Sequence, residues 1–391
     1  MMEDIIEKEK NFFLQTYNRI PLEISNGDGV HIITKDGTRY LDFFSGLGVN
    51  VLGHSHPSIV EAIHSQAEKY LHLSNYFITD VQLNFSEMLL KQSNMSKVFL
   101  TNSGAEAVEA AIKAVRKLKG RNKKIYSITN SFHGRTYGAL SLTEKQKYKV
   151  DFEPMLQNVD YIDFNNIDDL QKKANEKAAA VFIEFLQGEG GINLVSEEFV
   201  YELEKLRSKY DFITVADCIQ SGIGRTGKTF AFNHFNFYPD MIVAAKAIGG
   251  GLPLGALMVK KEFANLFHPG SHGSTFGGNP LSCAAGMVVL QEVFENGLIK
   301  NVEELGSYLK MQLIQLKDIF PQMIREVRGL GFMIGVEFRS DCKKVVEKLL
   351  ERKVLSNCTN NNVLRLLPPF IATKSDIDFF LYNLHEILKE H

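Results

Sequence analysis

The feature that most constrains this chain is a rhythm of short, unbroken apolar runs. They occur at KVFLT (97–101), KIYSIT (124–129), AAVFIEF (179–185), FITVAD (212–217), MIVAAK (241–246) and GALMV (255–259). A strand with one wet face alternates apolar and polar residues; continuous runs predict strands covered on both faces. Helical stretches near 103–118 and 196–209 fall between them. This βαβ alternation predicts an α/β domain with a mostly parallel sheet covered by helices. Upstream, residues 29–44 (GVHIITKDGTRYLDFF) read as two short strands joined at Asp36-Gly37. Helices are predicted from Pro57 to about 71 and from about 79 to 91. Beyond about residue 280 the chain becomes helical, then strand-like at 331–338 and 363–367, then helical again from about 374. That stretch is expected to be a smaller α+β domain. At 391 residues the chain is too long for one core. The expected division is a large domain at 50–275 and a small domain made of 1–49 and 276–391, because chain termini often meet at one surface.

Bulk properties remove several classes of function. The net charge of −2 offers nothing to nucleic acid or to an anionic membrane surface. No apolar run approaches the roughly 20 residues that span a bilayer, and the opening MMEDIIEKEKNFF lacks the apolar stretch of a signal peptide. Cys218, Cys283, Cys342 and Cys358 are scattered without a C-x-x-C pair, so a reduced, cytoplasmic setting is expected. The histidines are equally dispersed. His54 and His56 beside Pro57 read as turn and packing residues, and no metal site is expected.

In a parallel sheet, ligands gather at the carboxyl ends of the strands. After KVFLT come Asn102, Ser103, Gly104, Ala105 and Glu106, with Ser103 and Glu106 at capping-box spacing and an apolar stripe following. A glycine and free backbone N–H groups at a helix start suit a phosphate, although an ordinary capped helix reads the same way. After FITVA comes Asp217, and after MIVAA comes Lys246. Each alone could be a solvated strand end. Together they are more specific: a lysine amine condenses with an aldehyde, an aspartate holds a pyridinium nitrogen protonated, and a helix end takes a phosphate. Those are the three handles of pyridoxal phosphate. A rival motif, GIGRTGKT at 222–229, matches the P-loop pattern. A P-loop must lead straight into a helix, and here FAFNHFNFYPD follows without a helical stripe, so Lys228 is expected to be a loop residue.

These residues sit in a longer pattern. NVLGHSHP (50–57), TNSGAEAVEAA (101–111), SFHGRT (131–136), EFLQGEGG (184–191), ADCIQSGIGRTG (216–227), YPDMIVAAKAIGGGLPLGA (238–256), HGSTFGGNPLSCAAG (272–286), RGLGFMIGVE (328–337) and LRLLPP (364–369) resemble, in order and spacing, the class III aminotransferases of pyridoxal-phosphate fold type I. The resemblance runs from about residue 20 to the C-terminus. It implies a large domain on a mostly parallel sheet of the seven-stranded type, plus a smaller α+β domain. Position by position, it implies Lys246 as the cofactor-bearing lysine and proton shuttle, Asp217 at the pyridinium nitrogen and Gln220 near the ring hydroxyl. Gly104 and Ala105, joined by Ser103, would bind the phosphate, and Phe132 would stack on the ring. Thr275, with Ser274 beside it, would reach the phosphate of the other subunit, which implies a homodimer with shared sites. Arg135 would take a substrate carboxylate. Glu189 would pair with Arg365, masking it for an ω-amine donor and freeing it for glutamate. The implied reaction moves the terminal amino group of N-acetylornithine to 2-oxoglutarate, with ornithine or 4-aminobutyrate as alternative donors. His133 discriminates weakly among these, since ornithine enzymes more often carry an aromatic residue there. A non-catalytic relative of the fold is the alternative from another class.

Two departures stand out. Phe185 replaces the usual proline in Glu-Pro-Ile-Gln-Gly-Glu, and Cys218 replaces the usual glutamate after Asp217. The first changes local backbone rigidity. The second removes a charge beside the cofactor site, and a small buried thiol is the expected role.

Overall fold

The computed structural model describes residues 2–390. Helix Met2–Phe12 comes first and a meander follows: β1 (Ile24–Asp28), β2 (His31–Thr34) and β3 (Arg39–Asp42). β2 and β3 are the antiparallel pair expected across Asp36-Gly37. β1 joins β2 as well, and its polar sequence ISNGD explains why no strand was foreseen there.

The central sheet contains β4 (Lys97–Thr101), β5 (Lys124–Ile128), β6 (Val159–Ile162) and β7 (Ala178–Ile183). A small ribbon of β8 (Leu186–Gln187) and β9 (Asn193–Leu194) follows. The chain then returns to the sheet as β10 (Ile213–Asp217), β11 (Met241–Ala244) and β12 (Gly255–Val259). The seven strands lie in the order β4-β12-β11-β10-β7-β5-β6. The pairings from β11 through β10, β7 and β5 to β6 are all parallel. β12 is antiparallel to both its neighbours, β11 and β4. Its run GALMV is buried throughout, as β7, β10 and β11 are, and two-sided burial carries no record of strand direction.

The two faces of the sheet feed two separate cores. Along β11, Met241 and Val243 enter one, while Ile242 and Ala244 enter the other. This is the two-residue period of a strand with no wet face. Helix Gly104–Lys119 covers β11 and β12 with Ala107, Val108, Ala111, Ile112 and Val115. Its small alanines let the helix lie close over the strand ends that carry the site.

The C-terminal part begins with helices Pro280–Leu290 and Leu298–Ile319. Helix Pro280–Leu290 packs on Pro57–Lys69 and Asp80–Ser93. Next come β13 (Ile324–Leu330), β14 (Met333–Phe338), helix Lys343–Glu351, β15 (Val354–Leu355), β16 (Asn357–Thr359), β17 (Val363–Leu366) and helix Lys374–Lys389. An antiparallel sheet runs β13-β14-β17-β16. β15 leaves it and pairs in parallel with β3, Val354 opposite Leu41.

Residues 222–229 form successive turns and no helix, with Lys228 exposed. The P-loop reading therefore has no phosphate-binding helix end to use. The loop instead wraps Arg225, which is fully buried. Arg225 donates from Nη1 to the carbonyls of Phe332 (3.2 Å) and Pro368 (2.5 Å) and lies 4.6 Å over the Phe370 ring. Among the described residues it pairs with no carboxylate, and burial pulls its pKa down to about 9.

The expectation of four separate reduced thiols needs correction. Cys342 and Cys358 are joined in a disulfide, with their Cα atoms 6.0 Å apart. The start of helix Lys343–Glu351 and the edge strand β16 bring them together, a contact that linear spacing does not reveal. Cys218 and Cys283 are free and buried. Among the described residues no helix is long and apolar enough to cross a membrane, and no group of three or more His, Cys, Asp or Glu side chains is placed to hold a metal ion.

Candidate active site

β10 delivers Asp217 into the interior, 4% exposed. Its Oδ1 accepts the N–H of Ile219 at 3.0 Å, and its Oδ2 lies 2.6 Å from His133 Nδ1. A carboxylate only accepts, so this geometry puts the ring proton of His133 on Nδ1. His133 is itself buried, with Nε2 3.0 Å from Ser127 Oγ. Burial opposes its protonation, but the hydrogen bond to Asp217 and that residue's charge outweigh burial, and its pKa rises. Glu184 stands behind the pair, accepting the N–H groups of Phe132 (2.9 Å) and Gly188 (3.2 Å). Burial first, then the charge of Asp217, pushes Glu184 up to about 7.

β11 ends at Ala244, two residues before Lys246, so the lysine does not close the strand as its sequence position suggests. It opens a short 3-10 turn, Lys246–Gly249, with φ +51. A left-handed backbone on a residue with a side chain costs roughly 1–3 kcal/mol and persists only where surrounding structure holds it. Lys246 and Asp217 line the same cavity. Burial, then the Arg365 charge, lowers the Lys246 amine to about 8. A weaker base is neutral more of the time, and the neutral amine is the nucleophile.

Helix Gly104–Lys119 starts at the same end of the sheet. Ser103 Oγ accepts the Glu106 N–H at 3.2 Å, while the Glu106 carboxylate reaches back to Asn102, to its N–H at 3.0 Å and its Nδ2 at 2.9 Å. The reciprocal half of the capping box is thus displaced by one residue. Among the described residues, no protein acceptor takes the backbone N–H of Gly104 or Ala105. A Cβ on Gly104 would lie 2.6 Å from Ile219 Cδ1, so any larger residue there would displace the Ile219 side chain.

Two arginines serve the cavity, Arg135 in its wall and Arg365 behind it. Arg135 makes no ion pair or hydrogen bond among the described residues, and its guanidinium lies 4.0 Å over the Tyr148 ring and 5.5 Å from that of Phe132. Arg365 is 1% exposed and held on two of its nitrogens: Nη1 bonds Glu189 Oε1 at 2.5 Å and Gln220 Oε1 at 3.3 Å, and Nε bonds Asn357 Oδ1 at 3.1 Å. Burial pushes Glu189 up, but Arg365 outweighs it and the net direction is down.

One cavity of about 480 Å³ is lined by Ser103, Gly104, Ala105, Phe132, Arg135, Glu189, Asp217, Gln220 and Lys246 together. Of the residues singled out in the sequence, Arg365 stands one contact behind its wall, on Glu189 and Gln220. Ser274 and Thr275 do not line it. Ser274 bonds Asn102 Nδ2 at 3.2 Å, and Thr275 is exposed. Glu184, Tyr148 and Asn357 were not singled out, and His133 was noted only as a weak mark of the donor, not as a partner of Asp217. The segments SFHGRT and EFLQGEGG carry His133 and Glu184, but only a fold shows that they close on Asp217. Phe185 is buried against Phe237 (5.1 Å), Phe235 (5.8 Å) and Phe232 (6.0 Å), so the aromatic run after the P-loop mimic holds the segment that proline usually stiffens. Burial, with the charge of Asp217, drives the Cys218 thiol well above its ordinary pKa, which leaves it inert.

An aldehyde-reactive amine, a carboxylate and an open helix end meet in one cavity, a set whose chemistry suits pyridoxal phosphate. The sequence profile of the class III aminotransferases matches residues 13–388, and the chain belongs to that family of pyridoxal-phosphate-dependent transaminases. Among curated relatives, the acetylornithine aminotransferase of Aquifex aeolicus is 45% identical, over 96% of this chain and all of that protein. That of Caldanaerobacter subterraneus is 42% identical, over 99% of both. Among solved structures, the ornithine aminotransferase of Toxoplasma gondii superposes with a TM-score of 0.95 at 29% identity, over 100% of this chain and 95% of that one. The acetylornithine aminotransferase of Elizabethkingia anophelis gives 0.90 at 30% identity, over 100% and 99%. A further Toxoplasma gondii structure shows pyridoxal phosphate partly occupying that enzyme's active site.

Proposed function

We propose that this chain transfers the terminal amino group of N-acetylornithine to 2-oxoglutarate, giving N-acetylglutamate semialdehyde and glutamate. The observation that carries it is the contrast between the two arginines. Arg135 is open at the cavity mouth, whereas Arg365 is closed by Glu189. A donor with its carboxylate far from the reacting amine needs a cationic anchor at a distance and a neutral surface near the amine. A substrate with a carboxylate beside the reacting carbon needs Arg365 uncovered. Relatives at 42–45% identity that are named for acetylornithine support the same choice.

The residues present fit pyridoxal phosphate. When bound, the cofactor supplies an aldehyde and an electron-accepting ring. Lys246 presents the amine that takes the aldehyde, and when freed it moves the proton at the substrate carbon bearing nitrogen. Asp217, fixed by His133, keeps a proton at the ring nitrogen. Gln220 serves the ring hydroxyl, and Phe132 covers one ring face. The open N–H groups of Gly104 and Ala105, with Ser103, hold the phosphate. Arg135 grips the donor carboxylate as a planar fork. Thr275 and Ser274 serve the phosphate of a second copy. Exposed Tyr76, Phe77 and Phe276 beside them form an apolar patch suited to a homodimer. The same reading keeps the division at 50–275 and 1–49 with 276–391, supported by the pairing of β3 with β15.

The test is a half-reaction screen. Loss of the cofactor's visible band is followed on adding N-acetylornithine, ornithine, 4-aminobutyrate or glutamate. The expected order places N-acetylornithine first among the ω-amines; faster reaction with 4-aminobutyrate would overturn the substrate assignment.

A further inference from the structure

β16 is a three-residue edge strand whose register sets Asn357 opposite Arg365 and Thr359 opposite Val363. Side chains alternate along a strand, so Asn357 and Thr359 share one face and Cys358 points to the other. On the first face, Asn357 Oδ1 accepts Arg365 Nε at 3.1 Å and Thr359 Oγ1 donates to the Glu189 carbonyl at 3.1 Å. Lys145 completes the contact, donating to the same carbonyl at 3.2 Å and to Asn360 Oδ1 at 3.1 Å. On the second face, Cys358 is bonded to Cys342, the residue that starts helix Lys343–Glu351. Both members of the Glu189–Arg365 pair therefore lean on one short strand, and a covalent bond fixes that strand from behind.

We propose that Asn357 and Thr359 are positioning residues for the Arg365–Glu189 pair and that the Cys342–Cys358 disulfide tunes recognition of the α-carboxylate substrate by pinning β16. The inference rests on the reading of Arg365 as the site of that carboxylate. An edge strand has a ladder partner on one side only, so three residues of pairing hold it weakly without the cross-link. Reduction by a dithiol is balanced as follows. One thiolate of the reductant attacks the half-buried Cys358 sulfur, and Cys342 leaves as a thiolate and takes up a proton. The reductant's second thiol then attacks the mixed disulfide and releases Cys358. Two electrons pass to the protein, and the reductant leaves as its own disulfide. β16 then loses its anchor, and Arg365 loses the acceptor that holds its Nε in register.

The experiment uses the holoenzyme with and without dithiothreitol, counting thiols by alkylation and mass. Initial rates are measured separately against donor and against 2-oxoglutarate. Reduction is expected to raise the KM for 2-oxoglutarate about threefold, and Asn357→Ala about tenfold, the scale of one hydrogen bond to a charged group. The KM for the donor and kcat should stay within about twofold. Cys358→Ser should reproduce the reduced enzyme and be insensitive to dithiothreitol; should it fail to fold, Asn357→Ala and the reduced wild type still decide. Fully reduced protein with an unchanged KM for 2-oxoglutarate overturns the inference, as does a parallel loss in both half-reactions. Arg365→Ala separates the two readings. If it leaves the KM for 2-oxoglutarate unmoved, the carboxylate reading itself fails, and the inference with it. If it raises that KM while Asn357→Ala and reduction do not, only the inference fails.

Discussion

Replacing His133 with leucine removes the Nδ1–H that Asp217 Oδ2 accepts at 2.6 Å, where water has little access: the residues are 1% and 4% exposed. The carboxylate then has two outlets. Remaining ionised without its partner costs about 3–5 kcal/mol, the usual range for halving a buried pair. Taking up a proton at pH 7 costs about 1.4 kcal/mol for each unit above the ordinary value near 3.9, or about 4 kcal/mol. The cheaper outlet sets the loss, so the variant should be about 3–4 kcal/mol less stable near pH 7. The pH dependence follows from the signs. In the wild type, the folded pKa of His133 is raised, so its contribution is complete below about 6.5 and is lost as pH rises through the folded value. From about pH 4 to 6.5 that histidine is protonated in both states and adds no slope. In the variant, a protonated Asp217 keeps a proton that the unfolded chain releases above about 3.9, so stability falls by about 1.4 kcal/mol per unit. The gap between the proteins must therefore widen from about pH 4 to 6.5. Urea unfolding of cofactor-free protein at equal protomer concentration, at about pH 5, 6 and 7, measures it. A gap below about 1 kcal/mol, or one that stays constant across that range, would refute the argument.

Three further outcomes follow from the same geometry. Trapping of a small aldehyde at Lys246 of the cofactor-free protein with cyanoborohydride, read by peptide mass, should be half-maximal near pH 8, the pKa that burial gives that amine; a midpoint near the ordinary 10.5 would contradict it. Glu189→Gln keeps the shape but removes the charge on Arg365, and should lower the KM for 2-oxoglutarate severalfold, on the order of 1 kcal/mol, with weaker selection against α-carboxylate donors; steady-state kinetics with both substrates checks this. Glu184 is held up to about 7, so the wild type should lose stability as pH climbs from its ordinary 4.5 through 7, and Glu184→Gln should flatten that slope in thermal melts.

What the sequence revealed, and what it hid, divides by range. Six strands of the central sheet stand out as apolar runs because two-sided burial leaves no polar position to interrupt them. The seventh, β6, is a half-buried edge reading VDYI and carries no such mark. Ser103 announced its helix because capping is local. Asp217, Lys246 and the Gly104 helix end were legible as strand-end residues, since a parallel sheet gathers those ends in one place. The neighbours of Asp217 were not. His133 reaches it from across 84 residues of chain, and no period or spacing encodes that contact. The same holds for Asn357 against Arg365, and for the two cysteines behind them, where strand register and the face of an edge strand decide who meets whom.

The pairing of β15 with β3 also sets an order of assembly. The meander of β1, β2 and β3 leaves the ribosome early, yet its sheet is completed only when Val354 and Leu355 arrive to pair with Leu41 and Asp42. Until then β3 is an open edge, with unpaired backbone groups on a strand whose last three residues belong to the buried interior. The contact spans nearly the whole chain, and such long-range pairing forms late and slowly. A product that stops before Val354 therefore retains an adhesive edge at Arg39–Asp42, and one that runs past Leu355 can seal it. A late strand thus closes an early one, and the arrival of Val354 and Leu355 is recorded on a strand made about 300 residues before.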